Sequence, residues 1–270
     1  MSGKMTSVKL GKKASDIFIS LIIIIFFLSP TFLTSCKPGE DYSQYAEDDS
    51  GNSEGDSLYL FDYGKIEIEN TSSIDLKING SNLYLDIYQD LIVLGEIENI
   101  SAENKTDIEI TFDFYDKYGN EIISADLPAA VKYLRGGSTL PFWYYVTERE
   151  KYIDIFKLKI GVNYKDYYKS FEGNPIVESE SYGYTGDYLI IEGRIINLGK
   201  GRIRNLKLFC TFYNEKDQVV LIKQCYLPEE EMDHGKEQGF VLKVLLDEYL
   251  PDFSHYSFGI FFEDDIEMPV

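Results

Sequence analysis

Histidine, tryptophan and positive charge are all scarce in this chain, and each shortage removes a class of chemistry. Only His234 and His255 occur in 270 residues, with one tryptophan and three cysteines. Two unclustered histidines make a zinc site improbable. The chain has no His-Glu-x-x-His helix, no Gly-x-Ser-x-Gly elbow, no P-loop and no dinucleotide fingerprint. Lysine and arginine together number 26 against 46 acidic residues, a formal charge of −20. That balance argues against nucleic acid, and against direct binding of anionic lipid headgroups. No calcium loop with its turn glycine is present, although Glu263-Asp264-Asp265 is an acidic run. Paired carboxylates hydrolyse glycosides in some enzymes, but 46 acids make a close pair inevitable. The expectation is a protein with no catalytic residues, no cofactor and no metal, with a glycan-processing enzyme as the weaker alternative.

Long apolar runs are also missing, with one exception at the N-terminus. Lys4, Lys9, Lys12 and Lys13 precede an apolar stretch from Ile17 to Leu33, which ends in Leu33-Thr34-Ser35-Cys36. A basic segment, an apolar segment and small residues before a cut are the layout of a secretory signal. Leu-Thr-Ser-Cys resembles the lipobox of bacterial lipoproteins. That resemblance implies recognition of Leu33, Thr34 and Ser35 by a dedicated peptidase and a lipidated Cys36 as the mature N-terminus. It also implies a chain anchored in a bacterial cell membrane or outer membrane on the extracytoplasmic side. The run is near the lower length limit for a membrane span, so an uncleaved anchor is the alternative. Pro30 near its end favours an extended cleavage segment over a helix exit. Two or three acyl chains on Cys36 suffice for stable attachment, at about 0.8 kcal/mol per buried methylene. Removal of residues 1–35, with four lysines and one aspartate, takes the formal charge from −20 to −23.

Residues 36–57 read as the lipidated cysteine and an acidic linker. From Lys37 to Ser57 the chain carries seven acidic residues and no branched aliphatic one, too little apolar surface to offset the entropy of ordering. A flexible segment of this length spans roughly 25 Å root-mean-square. The body begins near Leu58.

From there, short alternating runs rich in Ile, Leu, Val, Phe and Tyr are separated by Gly, Asn, Asp and Pro, which predicts strands. Ile108, Ile110, Phe112 and Phe114 alternate with Asp107, Glu109, Thr111 and Asp113, predicting one buried face and one wet face. Leu206, Leu208, Cys210 and Phe212 repeat the scheme against Lys207, Phe209, Thr211 and Tyr213. No long helical period follows the linker, although Glu148 to Ile155 has room for a short helix or turn. The two strands belong to a repeat offset by 98 residues. Gly95 falls on Gly193, Ile97 on Ile195, Asn99 on Asn197, Tyr115 on Tyr213, Gly137 on Gly235 and Phe142 on Phe240. The reading is all-β: two tandem sandwiches, residues 58–168 and 169–270, each of a usual size for that architecture.

Each copy resembles a named family. The first reads Leu94-Gly95-Glu96-Ile97-Glu98-Asn99, then Phe112-Asp113-Phe114-Tyr115-Asp116, then Gly136-Gly137 before an aromatic strand. This is similar to the FxLYD domain of bacterial envelope proteins, with Phe114 in the place of its leucine. The second copy departs further, with Cys210-Thr211-Phe212-Tyr213-Asn214. The resemblance implies an immunoglobulin-like β-sandwich and an envelope setting, and carries no family-wide catalytic residues.

The signature positions have structural explanations: Gly95 and Gly193 as bulge or close-approach sites, Asn99 and Asn197 as turn-bonding amides, Tyr115 and Tyr213 as strand-face cover. With the hairpin turn at Asn214 to Gln218, Cys210 is expected opposite Ile222, so a bridge to Cys225 needs an offset. Two buried thiols are the favoured reading and a disulfide the alternative. Trp143 and Tyr145, with Tyr164, Tyr167 and Tyr168, are the candidate binding surface, because half of a strand's aromatics must point away from the core. Packing between the copies is the plainer account. The functional expectation is a membrane-anchored, non-catalytic binding or spacer module with an unidentified envelope-protein or glycan partner. The alternative is an envelope assembly or maintenance factor that pairs through a sheet edge.

Overall fold

The computed structural model of the chain describes residues 8–9, 63–85, 90–146, 154–246 and 252–264, all within one compact unit. Leu33, Thr34, Ser35, Cys36 and the linker lie outside the described residues, as does most of the Glu148–Ile155 segment. The described residues form strands and a single 3-10 turn at Tyr63–Lys65. No helix among them is long and apolar enough to cross a membrane.

A two-residue strand, β1 (Val8–Lys9), precedes the first repeat. That repeat comprises β2 (Glu67–Asn70), β3 (Leu76–Leu85), β4 (Leu91–Asn99), β5 (Asn104–Tyr115), β6 (Glu121–Pro128), β7 (Tyr133–Leu134), β8 (Thr139–Val146) and β9 (Lys157–Tyr167). The second comprises β10 (Pro175–Thr185), β11 (Tyr188–Asn197), β12 (Ile203–Tyr213), β13 (Val219–Gln224), β14 (Glu237–Leu245) and β15 (His255–Asp264). In the first, a β3-β4-β8 sheet packs against β2-β9-β5-β6, with β7 also on β5; in the second, β10-β11-β14 packs against β15-β12-β13, whose outer edge takes β1. The fold is an all-β sandwich architecture.

The 98-residue offset survives in the registers, irregularities included. Gly95 pairs with Phe142 as Gly193 pairs with Phe240. The β5/β9 ladder shifts between Thr106 and Glu109, and β12/β15 shifts between Arg204 and Lys207. At those bulges Asp107 and Asn205 take φ of 49° and 50°, the left-handed region that these two side chains tolerate.

In β5 the alternation holds: Ile108, Ile110, Phe112 and Phe114 are buried, with Phe112 stacked on Tyr144 and edge-on to Phe142. Burying each such ring or branched side chain contributes about 1.5–3 kcal/mol. In β12 it fails. Phe209, Thr211 and Tyr213, expected to face water, are buried along with Leu208, Cys210 and Phe212. The cause is a second packing layer, in which the outer face of β12-β13 lies against the outer face of the first repeat's β3-β4-β8 sheet. Ile92, Leu94, Tyr213 and Val219 form the shared apolar cluster, Trp143 meets Phe209 at 6.0 Å between ring centroids, and Asn82 donates to the Val219 carbonyl at 3.0 Å. The Cys210 expectation is corrected by one residue. A bulge between Phe212 and Tyr213 sets Cys210 opposite Lys223 rather than Ile222.

Candidate functional site

The positions that the two copies share are spent on structure in both. Asn99 is fully buried at the end of β4. Its amide donates to the carbonyls of Glu103 (2.8 Å) and Leu134 (3.2 Å), while its oxygen accepts from the Ser101 backbone at 3.1 Å. Asn197 repeats this with Gly201 (2.9 Å) and Met232 (3.2 Å) as acceptors and the Gly199 and Asn174 N–H groups as donors. Each amide thereby satisfies turn groups that the sheet leaves over. Gly95 and Gly193 lie beneath the Phe142 and Phe240 rings, where a Cβ would overlap the ring.

The candidate aromatics divide into two places. Trp143, 37% exposed, and Tyr145, 49% exposed, stand on β8, and Trp143 is partly engaged by Phe209. Tyr164, Tyr167 and Tyr168 gather at the far end of β9. Tyr164 donates to Asp75 at 3.2 Å; Tyr167 packs 4.4 Å from Tyr133 and 5.9 Å from Phe171, bridging the repeats; Tyr168, 80% exposed, donates to Asp166 at 3.2 Å.

At the centre of that cluster is a group the sequence reading missed. Lys105, 1% exposed, bonds Asp75 at 2.8 Å and Asp166 at 2.6 Å, with its ammonium 5.0 Å from the Tyr164 ring. Burial alone pulls the ammonium down, but the Asp166 and Asp75 carboxylates outweigh it and hold Lys105 above the ordinary lysine value. Asp166 is held low, chiefly by the bond from Lys105. The second repeat solves the same position differently: Ile203 stands for Lys105 and Gly173 for Asp75. Asp264, in the place of Asp166, accepts instead from the Glu172 (2.7 Å) and Gly173 (2.9 Å) backbones. Asp264 and Glu263 of the acidic run thus have protein partners, Glu263 taking Asn205 at 2.8 Å. Alternation puts Lys105 on the wet face with Asp107 and Glu109, and only the bulge between Thr106 and Glu109 turns it into the core, so the sequence carried no signal for the cluster.

Between the repeats, the Tyr213 hydroxyl donates to Glu96 at 2.7 Å and meets Ser257 Oγ at 2.8 Å. Burial raises the Glu96 carboxyl, and hydrogen bonds from Tyr213 and Thr211 partly counter it. His255 stacks on Tyr213 at 4.8 Å, and His234 contacts the Gly199 carbonyl through Nδ1. Cys210 and Cys225 are free and buried. Desolvation drives both thiols upward, Cys225 to about 12, so neither is a ready nucleophile. Among the described residues no group of three His, Cys, Asp or Glu comes together to hold a metal.

Two open grooves line the second repeat. One, of about 450 Å³, lies at the junction between Pro128–Lys132 and Phe261–Glu263. The other, of about 550 Å³, runs between Pro175–Glu180 of β10 and Ser257–Phe261 of β15, with Arg135 and Gly137–Thr139 of the first repeat along it.

No protein-family model matches the chain, and a search of curated proteins finds no match. Among solved structures, red sea bream transglutaminase aligns at 9% identity over 69% of this chain and 29% of its own, with a TM-score of 0.21. Amycolatopsis orientalis exo-chitosanase CsxA aligns at 10% identity over 68% and 25%, with a TM-score of 0.26. The tandem CBM22 domains of Paenibacillus barcinonensis Xyn10C align at 8% identity over 74% and 88%, with a TM-score of 0.13. The chain spans less than a third of the length of the first two, and similarity at this level carries no argument about activity.

Proposed function

We propose that this chain is a lipid-anchored protein of the bacterial cell envelope whose mature body, two tandem immunoglobulin-like sandwiches similar to FxLYD domains, acts as a non-catalytic binding or spacer module. The observation that carries the reading is the N-terminal order: four lysines, an apolar run, Leu33-Thr34-Ser35-Cys36, then an acidic linker. The layer packing of the repeats supports a stiff spacer, since sheet-on-sheet burial and the Tyr213–Glu96 bond tie them together. The partner under this reading is the membrane through Cys36, with an envelope protein or glycan bound by the body. Metabolic labelling with an alkyne fatty acid in a bacterial host tests it. The wild-type chain takes label and loses residues 1–35, and Cys36→Ala accumulates unlabelled at precursor mass. Label or processing that persists in Cys36→Ala refutes the anchor. A second reading, pairing through a sheet edge, is favoured by the unequal edges of the two repeats.

A further inference from the structure

We infer that the outer edge of β15, at His255–Phe258, is a seat for an extended, lysine-bearing segment of another polypeptide, which completes the second repeat as β2 completes the first. This deepens the sheet-edge reading and rests on removal of the leader.

In the first repeat the corresponding edge is filled. Glu67–Asn70 runs parallel to Lys157–Ile160. The Glu67 N–H donates to the Phe156 carbonyl at 3.0 Å and the Thr71 N–H to the Ile160 carbonyl at 2.7 Å. β2 also lies against β3, so it closes the gap between the two sheets. The 98-residue offset carries Lys157–Ile160 onto His255–Phe258, and carries Glu67–Asn70 onto residues 165–168. Those are already used: Lys165 and Tyr167 pair with Thr106 and Asn104 as the end of β9. Among the described residues, the second repeat therefore has no counterpart of β2 drawn from its own copy. The 550 Å³ groove between β10 and β15 overlaps this edge at Ser257 and Phe258, and Arg135, Gly137, Ser138 and Thr139 of the first repeat also line it.

Two features mark this edge. Val8 and Lys9 pair antiparallel with Tyr256 and His255, so the edge takes a foreign strand at the same two positions where β9 takes β2. Under the lipoprotein reading those residues are removed, and the seat they occupy is vacated. Tyr256 itself stands where the first repeat has the apolar Leu158, and its hydroxyl is the one buried side-chain polar atom among the described residues with no hydrogen-bond partner. Such orphans are rare in finished cores. Charge selects the occupant: Glu180 lines the groove beside Glu178, which is paired with Arg194 at 3.2 Å, Asp217 lies 3.6 Å from His255, and the chain carries −20 overall. Arg135, at one end, lies over the Phe262 ring. Main-chain pairing supplies affinity for an added strand, and the acidic surround favours lysine.

The test uses processed protein purified from membranes in detergent. Intact mass reads its N-terminus, and amide hydrogen exchange reads β15 with and without a synthetic peptide of residues 5–12. The expected result is exchange slowed roughly tenfold or more across His255–Phe258. The effect should vanish when the Val8 and Lys9 amides of the peptide are N-methylated, and weaken when its Lys9 is replaced by Glu. Exchange at β15 that ignores the peptide, or responds equally to the methylated or Glu form, overturns the seat while leaving the anchor intact. A purified chain that still begins at Met1 overturns the leader, and with it a partner as the occupant.

Discussion

Replacing Tyr213 by Phe tests whether the repeats are bonded or merely adjacent. The change deletes one hydroxyl, with its 2.7 Å bond to Glu96 and its 2.8 Å contact with Ser257, and keeps the ring that stacks on His255. Glu96 is buried, so its carboxylate loses a donor that water cannot replace. A hydrogen bond to a charged group is worth about 1.5–3 kcal/mol, which puts the cost near 2 kcal/mol at pH 7.5. For a body of about 200 residues that corresponds to a fall of roughly 4–8 °C in melting temperature. The pH dependence has a definite sign. Burial raises the Glu96 carboxyl in the folded state, so its contribution is fully present below the unfolded value and is lost as pH rises through the raised one. The Tyr213→Phe cost should therefore shrink as pH falls through the raised Glu96 value, below which Glu96 is neutral and a neutral bond is worth only about 0.5–1.5 kcal/mol. Glu96→Gln should make the same cost small at every pH. Urea unfolding followed by fluorescence is well suited, because Trp143 is the one tryptophan and lies 6.0 Å from Phe209 across the junction. A double-mutant cycle with a coupling of about 1 kcal/mol is expected. Equal cost in the wild-type and Glu96→Gln backgrounds at pH 7.5 would refute the bond as the tie between repeats.

Further outcomes follow from the repeat comparison. Lys105→Ile should lower the melting temperature by leaving Asp75 and Asp166 without their cation, and adding Asp75→Gly, which copies the Ile203 and Gly173 pair, should recover much of the loss; thermal unfolding of both variants decides it. Because Lys105 holds Asp166 low, the part of wild-type stability due to Asp166 is present above the unfolded aspartate value and lost as pH falls. The deficit of Lys105→Ile should accordingly narrow in acid. Asn99→Ala and Asn197→Ala should each cost about 3 kcal/mol in urea titrations by orphaning buried turn groups; a cost under about 0.5 kcal/mol would remove the amides from the fold's support. Gly193→Ala should be more damaging than Gly95→Ala, about 1–3 kcal/mol for the latter. Its added methyl meets the Ser179 carbonyl as well as the Phe240 ring, whereas the nearest atoms to a methyl at Gly95 all belong to the Phe142 side chain.

The sequence by itself determined what is local or periodic. Alternation in β5 named its core side correctly, and the offset of 98 residues matched the registers down to the bulges, because each copy folds through contacts within its own strands and turns. The order of a basic segment, an apolar run and Leu33-Thr34-Ser35-Cys36 also needs no fold to be read. What lay beyond reach was every feature made by the packing of one copy on the other or by a difference between them. Phe209, Thr211 and Tyr213 read as a wet face because alternation reports burial against a strand's own sandwich, and a second layer covers them from outside. Glu96 looked like a surface residue until Tyr213 lay across from it. Lys105 had no visible reason to be buried until residues 30 and 61 positions away supplied its carboxylates. The edge of β15, which pairs with Val8 and Lys9 and not with a strand of its own repeat, was hidden as well: β9 uses the residues that would have matched β2, and only the tertiary structure shows it.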